Sequence, residues 1–152
     1  MPIDARYVHT NLIASDWKRL ARFYRDVLGC TILPPERDFS GEWLEAATSV
    51  PGARIRGAHL RLPGFGDGGP TLEIFEYNRV EPRGETAVNR PGFAHIAFAV
   101  PDVASAREAV LEAGGRAVGE VVTVDVPGAG RVTFTYVSDP EGNVIELQTW
   151  TA

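Results

Sequence analysis

The stretch His95-Ile-Ala-Phe-Ala-Val-Pro-Asp102 opens the second half of the chain and repeats the plan of His9-Thr-Asn-Leu-Ile-Ala-Ser-Asp16 near its start. In each, a histidine begins a short apolar or β-branched run and an aspartate closes it. His9 and His95, Asp16 and Asp102, and Gly29 and Gly115 stand at one constant interval. A second echo matches Thr71-Leu-Glu-Ile-Phe-Glu-Tyr77 with Val144-Ile-Glu-Leu-Gln-Thr-Trp150, so that Glu73 corresponds to Glu146 at a shorter interval. The first half is therefore longer between its landmarks. Self-similarity of this kind points to one supersecondary unit used twice.

Working outward, residues 7–13 and 93–100 read as strands from their β-branched and aromatic content. Asp16 and Asp102 then stand where a helix N-cap belongs, because a carboxylate accepts the free N–H groups of a first turn. Trp17, Leu20, Ala21, Tyr24, Val27 and Leu28 recur at helical spacing, as do Val103, Ala106, Val110 and Ala113. Gly29 and Gly114-Gly115 suit the left-handed position at a helix C-terminus. Further strands are expected at 55–62 and 71–77, and at 131–137 and 143–149. Pro63-Gly-Phe-Gly-Asp-Gly-Gly-Pro70 and Ser138-Asp-Pro-Glu-Gly142 supply turn chemistry between them. The pattern is βαβββ twice: module one over about 5–78, a connector over about 78–92 and module two over about 93–150. The expected fold class is α+β, with residues 1–152 as a single domain, because one helix per half leaves each sheet half covered.

Composition narrows the function. The 152 residues are 44% hydrophobic and 23% charged, ordinary for a globular chain and wrong for disorder. The net charge of −5 and the interspersed charges exclude the basic stripe of a nucleic-acid binder. The densest basic stretch, Lys18, Arg19, Arg22 and Arg25, reads as the wet face of a helix. A lone Cys30 rules out an intramolecular disulfide and a cysteine-based zinc finger. The N-terminus lacks a secretion-signal pattern, and no apolar run approaches the roughly 18 residues of a membrane span. A cytoplasmic protein with no membrane partner is expected.

Alternation of side chains along a strand assigns faces. His9, Asn11 and Ile13 share one face of the first strand. Glu73 lies between Leu72 and Ile74, and Glu146 between Ile145 and Leu147, so each carboxylate faces away from the hydrophobic packing. His95 lies likewise between Ala94 and Ile96. Glu76 falls on the face opposite Glu73 and reads as solvent-facing. One histidine or one glutamate in a strand is commonly a satisfied or solvated residue. Recurrence of both types at matching module positions is what raises His9, Glu73, His95 and Glu146 to a candidate metal set. Two imidazoles and two carboxylates suit nickel, cobalt, zinc, manganese or iron(II). A divalent ion so held, with an open position, polarises a carbonyl oxygen and stabilises the enolate formed by proton loss beside it.

These features resemble the vicinal oxygen chelate superfamily, which includes glyoxalase I, methylmalonyl-CoA epimerase, extradiol dioxygenases and antibiotic-resistance proteins. The resemblance is carried by Val8-His9-Thr10, Ala21-Arg-Phe-Tyr-Arg-Asp-Val-Leu-Gly29, Leu72-Glu-Ile-Phe-Glu-Tyr77, Gly92-Phe-Ala-His-Ile-Ala-Phe98 and Asp139-Pro-Glu-Gly-Asn-Val-Ile-Glu-Leu147. It implies paired βαβββ modules forming an open, cupped mixed sheet with helices outside, around one divalent metal. The family's ligand positions fall on His9, Glu73, His95 and Glu146. This ligand set is closest to those of glyoxalase I and the epimerase, although the epimerase has Gln where this chain has Glu73. The epimerase's additional catalytic Glu falls on His59, whose imidazole titrates in the range a proton shuttle needs. Phe75-Glu-Tyr-Asn-Arg79 departs from the Tyr-Asn-Trp-Gly-like segment of bacterial glyoxalase I. A homodimer is also implied.

The expected activity is that of a metal-dependent lyase, isomerase or epimerase moving a proton next to a metal-held carbonyl of a small-molecule substrate. Glu146 serves as ligand and candidate base, with His59 as a second catalytic candidate. The alternative is a non-catalytic binding protein for a small natural product or antibiotic, with Phe39, Trp43, Phe65 and Trp150 as stacking walls. A third reading, an iron-dependent dioxygenase, is weaker because Glu73 crowds a position that oxygen needs. Arg61 shares a strand face with His59, and Arg54, Arg56 and Arg79 lie near the proposed cup in sequence.

Overall fold

The computed structural model describes residues 1–151. The chain divides into two compact units, Met1–Pro82 and Arg83–Ala152. The first contains β1 (His9–Ile13), α1 (Trp17–Leu28), β2 (Thr31–Ser40), α2 (Glu42–Thr48), β3 (Arg54–Arg61) and β4 (Thr71–Tyr77). Its four strands form one mixed sheet in the order β1-β4-β3-β2, in which only the β1–β4 pairing is parallel. The second contains β5 (His95–Ala99), α3 (Val103–Glu112), β6 (Arg116–Ala117), β7 (Val122–Val126), β8 (Gly130–Ser138) and β9 (Val144–Thr151). Its sheet runs β5-β9-β8-β6, β7 also pairs with β8, and only β5–β9 is parallel.

The repeat read from the sequence is a repeat of topology. In each unit the first strand leads into a helix and then lies parallel to the last strand of its own sheet. Register makes the likeness finer. His9 pairs with Thr71, two residues before Glu73, and His95 pairs with Val144, two residues before Glu146. Because alternate residues share a face, each histidine is the diagonal neighbour of its glutamate on the same side of the sheet.

The helix ends form as their chemistry dictates. The Asp16 carboxylate accepts the Arg19 N–H at 3.0 Å, and Asp102 accepts that of Ser105 at 2.8 Å. The Ser105 amide holds the Asp102 carboxyl below its ordinary range. Gly29 ends α1 at φ 77°, in the left-handed region. α1 lays Leu20, Ala21 and Tyr24, all fully buried, against the β3 and β4 face that carries Ala58, Leu60, Leu72 and Ile74. Removing the cap by Asp16→Ala is expected to lower stability by about 1 kcal/mol, read as a lower denaturant midpoint at unchanged slope.

β2, α2, β6 and β7 lie in stretches to which no element was assigned, although βαβββ calls for one further strand in each unit. β2 contains Pro34-Pro35, which has no N–H to give a ladder, and its register with β3 slips between Leu33 and Arg37. α2, from Glu42-Trp-Leu-Glu-Ala-Ala-Thr48, is built of good helix formers. It places Leu44 in a cluster with Ala53, Ile55 and Phe75, joined by Phe39, Val50 and Tyr77. β6 and β7 are short and mostly exposed. Glu76 corrects its solvent-facing reading: it is partly buried, accepts the Trp17 N–H at 2.7 Å and pairs with Arg56 at 3.2 Å. A carboxylate there satisfies a first-turn donor of α1 and complements its dipole. Buried Cys30, its thiol pushed up to about 11 by desolvation, is a packing residue.

Candidate functional site

In the first unit, one sheet face gathers His9 and Asn11 from β1, Thr71, Glu73 and Phe75 from β4, and Gly57 and His59 from β3. The antiparallel register sets His59 directly opposite Glu73, and the parallel register sets Asn11 opposite Glu73. Glu73 is the hub. One carboxylate oxygen lies 2.7 Å from His59 Nε2; the other lies 3.5 Å from His9 Nε2 and accepts Asn11 Nδ2–H at 2.8 Å. The His9 and His59 rings meet edge to face, centroids 5.4 Å apart. His9, His59 and Glu73 thus offer three ligand atoms within 4.8 Å of one another.

His59 is held at both ring nitrogens and by ring contacts. Its Nδ1 is 2.9 Å from the Thr71 hydroxyl, and its ring stands edge-on to Phe75. The Phe75 ring lies close over Gly57, where there is no side chain to meet it. Burial lowers the His59 pKa; Glu73 opposes that shift, and the charges of Arg37 and His9 reinforce it. Neutral imidazole is the form that ligates a metal.

The second unit repeats half of this arrangement. His95 Nε2 lies 3.2 Å from Glu146 Oε1, and the His95 ring packs edge-on against Tyr136 at 5.2 Å. Tyr136 is the register partner of Glu146 across β8 and β9. No histidine stands at the Tyr136 position, so the correspondence with His59 ends there. The turn before Glu146 is braced by Asp139, whose carboxylate accepts the Glu141 and Asn143 N–H groups at 2.9 and 3.0 Å.

Of the predicted residues, His9, Glu73 and His59 come together in the first unit, and His95 and Glu146 in the second. Asn11 was placed on the His9 face without a role, and Tyr136 was not singled out. The expected stacking aromatics are placed differently. Phe39 and Trp43 meet edge to face at 5.4 Å in the α2 region, and Trp43, Phe65 and Trp150 are all exposed. None of the four lines the cavity that opens beside His59; its apolar walls are Val8, Leu33 and Pro34.

This donor geometry, on duplicated βαβββ units, defines a protein with sheet-borne histidine–carboxylate pairs suited to a divalent ion. The sequence profile of the Glyoxalase/Bleomycin resistance protein/Dioxygenase superfamily matches residues 6–147, and the chain belongs to that family. It is 30% identical over 141 residues to a lactoylglutathione lyase of Haemophilus influenzae, covering 92% of this chain and 89% of the relative. An ethylmalonyl-CoA/methylmalonyl-CoA epimerase of Cereibacter sphaeroides is 26% identical over 143 residues, covering 94% of this chain and 96% of the relative. Among solved structures, a glyoxalase family protein from Bacillus cereus superposes with a TM-score of 0.80 at 21% identity, covering 97% and 95% of the two chains. That likeness supports the paired-module fold. Among the described residues, no helix is long and apolar enough to cross a membrane.

Proposed function

We propose that the protein is a metal-dependent lyase or isomerase that moves a proton next to the carbonyl of a small substrate. The observation that carries this reading is the convergence of His9, His59 and Glu73 on one face, with His95 and Glu146 paired in the same way in the second unit. The donor set fits a divalent ion: imidazole nitrogens and carboxylate oxygens, without thiolate, select nickel, cobalt, zinc, manganese or iron over softer-ligand metals. The family resemblance assigns it to His9, Glu73, His95 and Glu146, and each unit supplies one of these histidine–glutamate pairs. When bound, such an ion polarises a carbonyl and acidifies the neighbouring C–H.

The chain's own groups do the rest. Glu146 turns Oε1 toward His95, which leaves Oε2 to accept the proton and return it to a second position on the substrate. Asn11 holds Glu73 by its amide, fixing which oxygen lies toward His9. His59 would exchange a proton through Nε2, with Nδ1 oriented by the Thr71 hydroxyl at 2.9 Å.

Two variants test the assignment. His95→Ala is expected to lower bound metal, measured by elemental analysis, from about one equivalent per chain to a small fraction of that. Full occupancy in that variant, lost instead in His59→Ala, would assign the ion to the three donors of the first unit alone. Glu146→Gln is expected to slow turnover of a carbonyl substrate by roughly 100-fold or more, the range of a general base. Unchanged turnover with metal retained would remove Glu146 from proton transfer.

A further inference from the structure

The first unit carries a cavity of about 270 Å³ beside His59. Its basic side chains are Arg6, Arg37 and His59, and no carboxylate side chain lines it. Three strand-borne arginines of this unit are already engaged. Arg54 makes a two-point contact with Asp38 at 2.9 and 2.7 Å, Arg56 pairs with Glu76, and Arg61 reaches Asp67 at 3.4 Å. Arg37 donates instead to the Pro35 carbonyl, and neither Arg37 nor Arg6 has a carboxylate partner among the described residues.

We infer that this cavity is an oxyanion subsite that takes the carboxylate or phosphate of a small substrate. Two guanidiniums without counter-ions, above apolar walls of Val8, Leu33 and Pro34, favour a planar or tetrahedral oxyanion that accepts charge-assisted hydrogen bonds. Small-molecule sites combine apolar lining with a few convergent polar groups, and the volume suits a compact ligand. His59 lines this cavity and bonds Glu73, so it joins the arginine end to the donor cluster. An anion seated on Arg37 and Arg6 would therefore present a neighbouring carbonyl toward Glu73 and His9. The carbonyl half of this inference rests on the proposed function; the oxyanion half does not. It narrows the substrate to a compact oxo- or hydroxy-acid or phosphate ester.

The test is calorimetric titration of metal-free full-length protein with sodium acetate and with inorganic phosphate, the His59 ring signals being followed by NMR in parallel. At least one anion is expected to saturate and to move the His59 resonances. Arg37→Gln and Arg6→Gln are each expected to weaken it roughly tenfold or more, with Arg37→Lys retaining part of the affinity. Tighter acetate assigns a carboxylate and tighter phosphate a phosphoryl group. Arg6 lies exposed outside the strands and helices, so Arg6→Gln keeps the test valid if Arg37→Gln unfolds. Failure of both anions to saturate, or equal affinity in the double variant, overturns the subsite. Metal content of the same protein before metal removal separates the two claims: metal without anion binding sinks the subsite alone, and anion binding without metal sinks the proposed reaction alone.

Discussion

Glu73→Gln is expected to weaken metal retention by about 10- to 100-fold, the cost of perturbing a metal's donor set, because the amide keeps one neutral oxygen donor and loses the carboxylate's charge. The carboxylate is shared among His59 at 2.7 Å, His9 at 3.5 Å and the Asn11 amide at 2.8 Å. An amide in its place offers one oxygen and turns an N–H₂ toward one of these partners. Asn11 can bond the remaining oxygen, so the fold is expected to survive while the donor cluster is weakened. Elemental analysis after dialysis and competition with a coloured chelator measure the effect. Tight metal binding by Glu73→Gln with an unchanged melting temperature would place the ion elsewhere.

The largest stability effect is expected from a residue that touches no ligand. A Cβ at Gly57 would lie 2.0 Å from the Ile74 carbonyl oxygen and 2.5 Å from Cδ1 of Phe75. Both neighbours belong to the adjacent strand β4, one of them its backbone, so relief requires β3 and β4 to separate. Gly57→Ala is expected to cost about 3 kcal/mol or more and to lower the melting temperature by roughly 10 °C. The shift would also displace Phe75 from beside His59, so histidine chemical shifts should change with it. Gly29→Ala is the control: its strain is purely conformational, with open space where the methyl would go, and about 1 kcal/mol is expected. Equal losses in the two variants would show that close strand approach is not what Gly57 provides.

The histidine–glutamate pairs were legible before any coordinates. His9, Glu73, His95 and Glu146 stand at repeating places, and alternation alone puts each opposite its strand's apolar residues. The parallel register then makes each pair diagonal neighbours. Asp16 and Asp102 were legible because an N-cap is local chemistry between residues three apart. Glu76 was misread for the opposite reason. The strand pattern gives its face, but only the arrival of α1 over that face turns an apparently solvated carboxylate into a partner of the Trp17 amide. β2 was hidden by Pro34-Pro35, and α2 by the shortness of its seven-residue run.

What the sequence by itself determined is the duplicated α+β plan, the face each donor occupies and the metal-competent character of the donors, because these follow from local periodicity and residue chemistry. What only the tertiary structure decided is which donors meet. Pairing of β3 with β4 brings His59 to 2.7 Å from Glu73. The course of β2 leaves Arg37 beside the His59 cavity while Arg54 is held by Asp38. Strand register and the packing of α1 and α2 are sums over many distant contacts, and no window of the chain contains them.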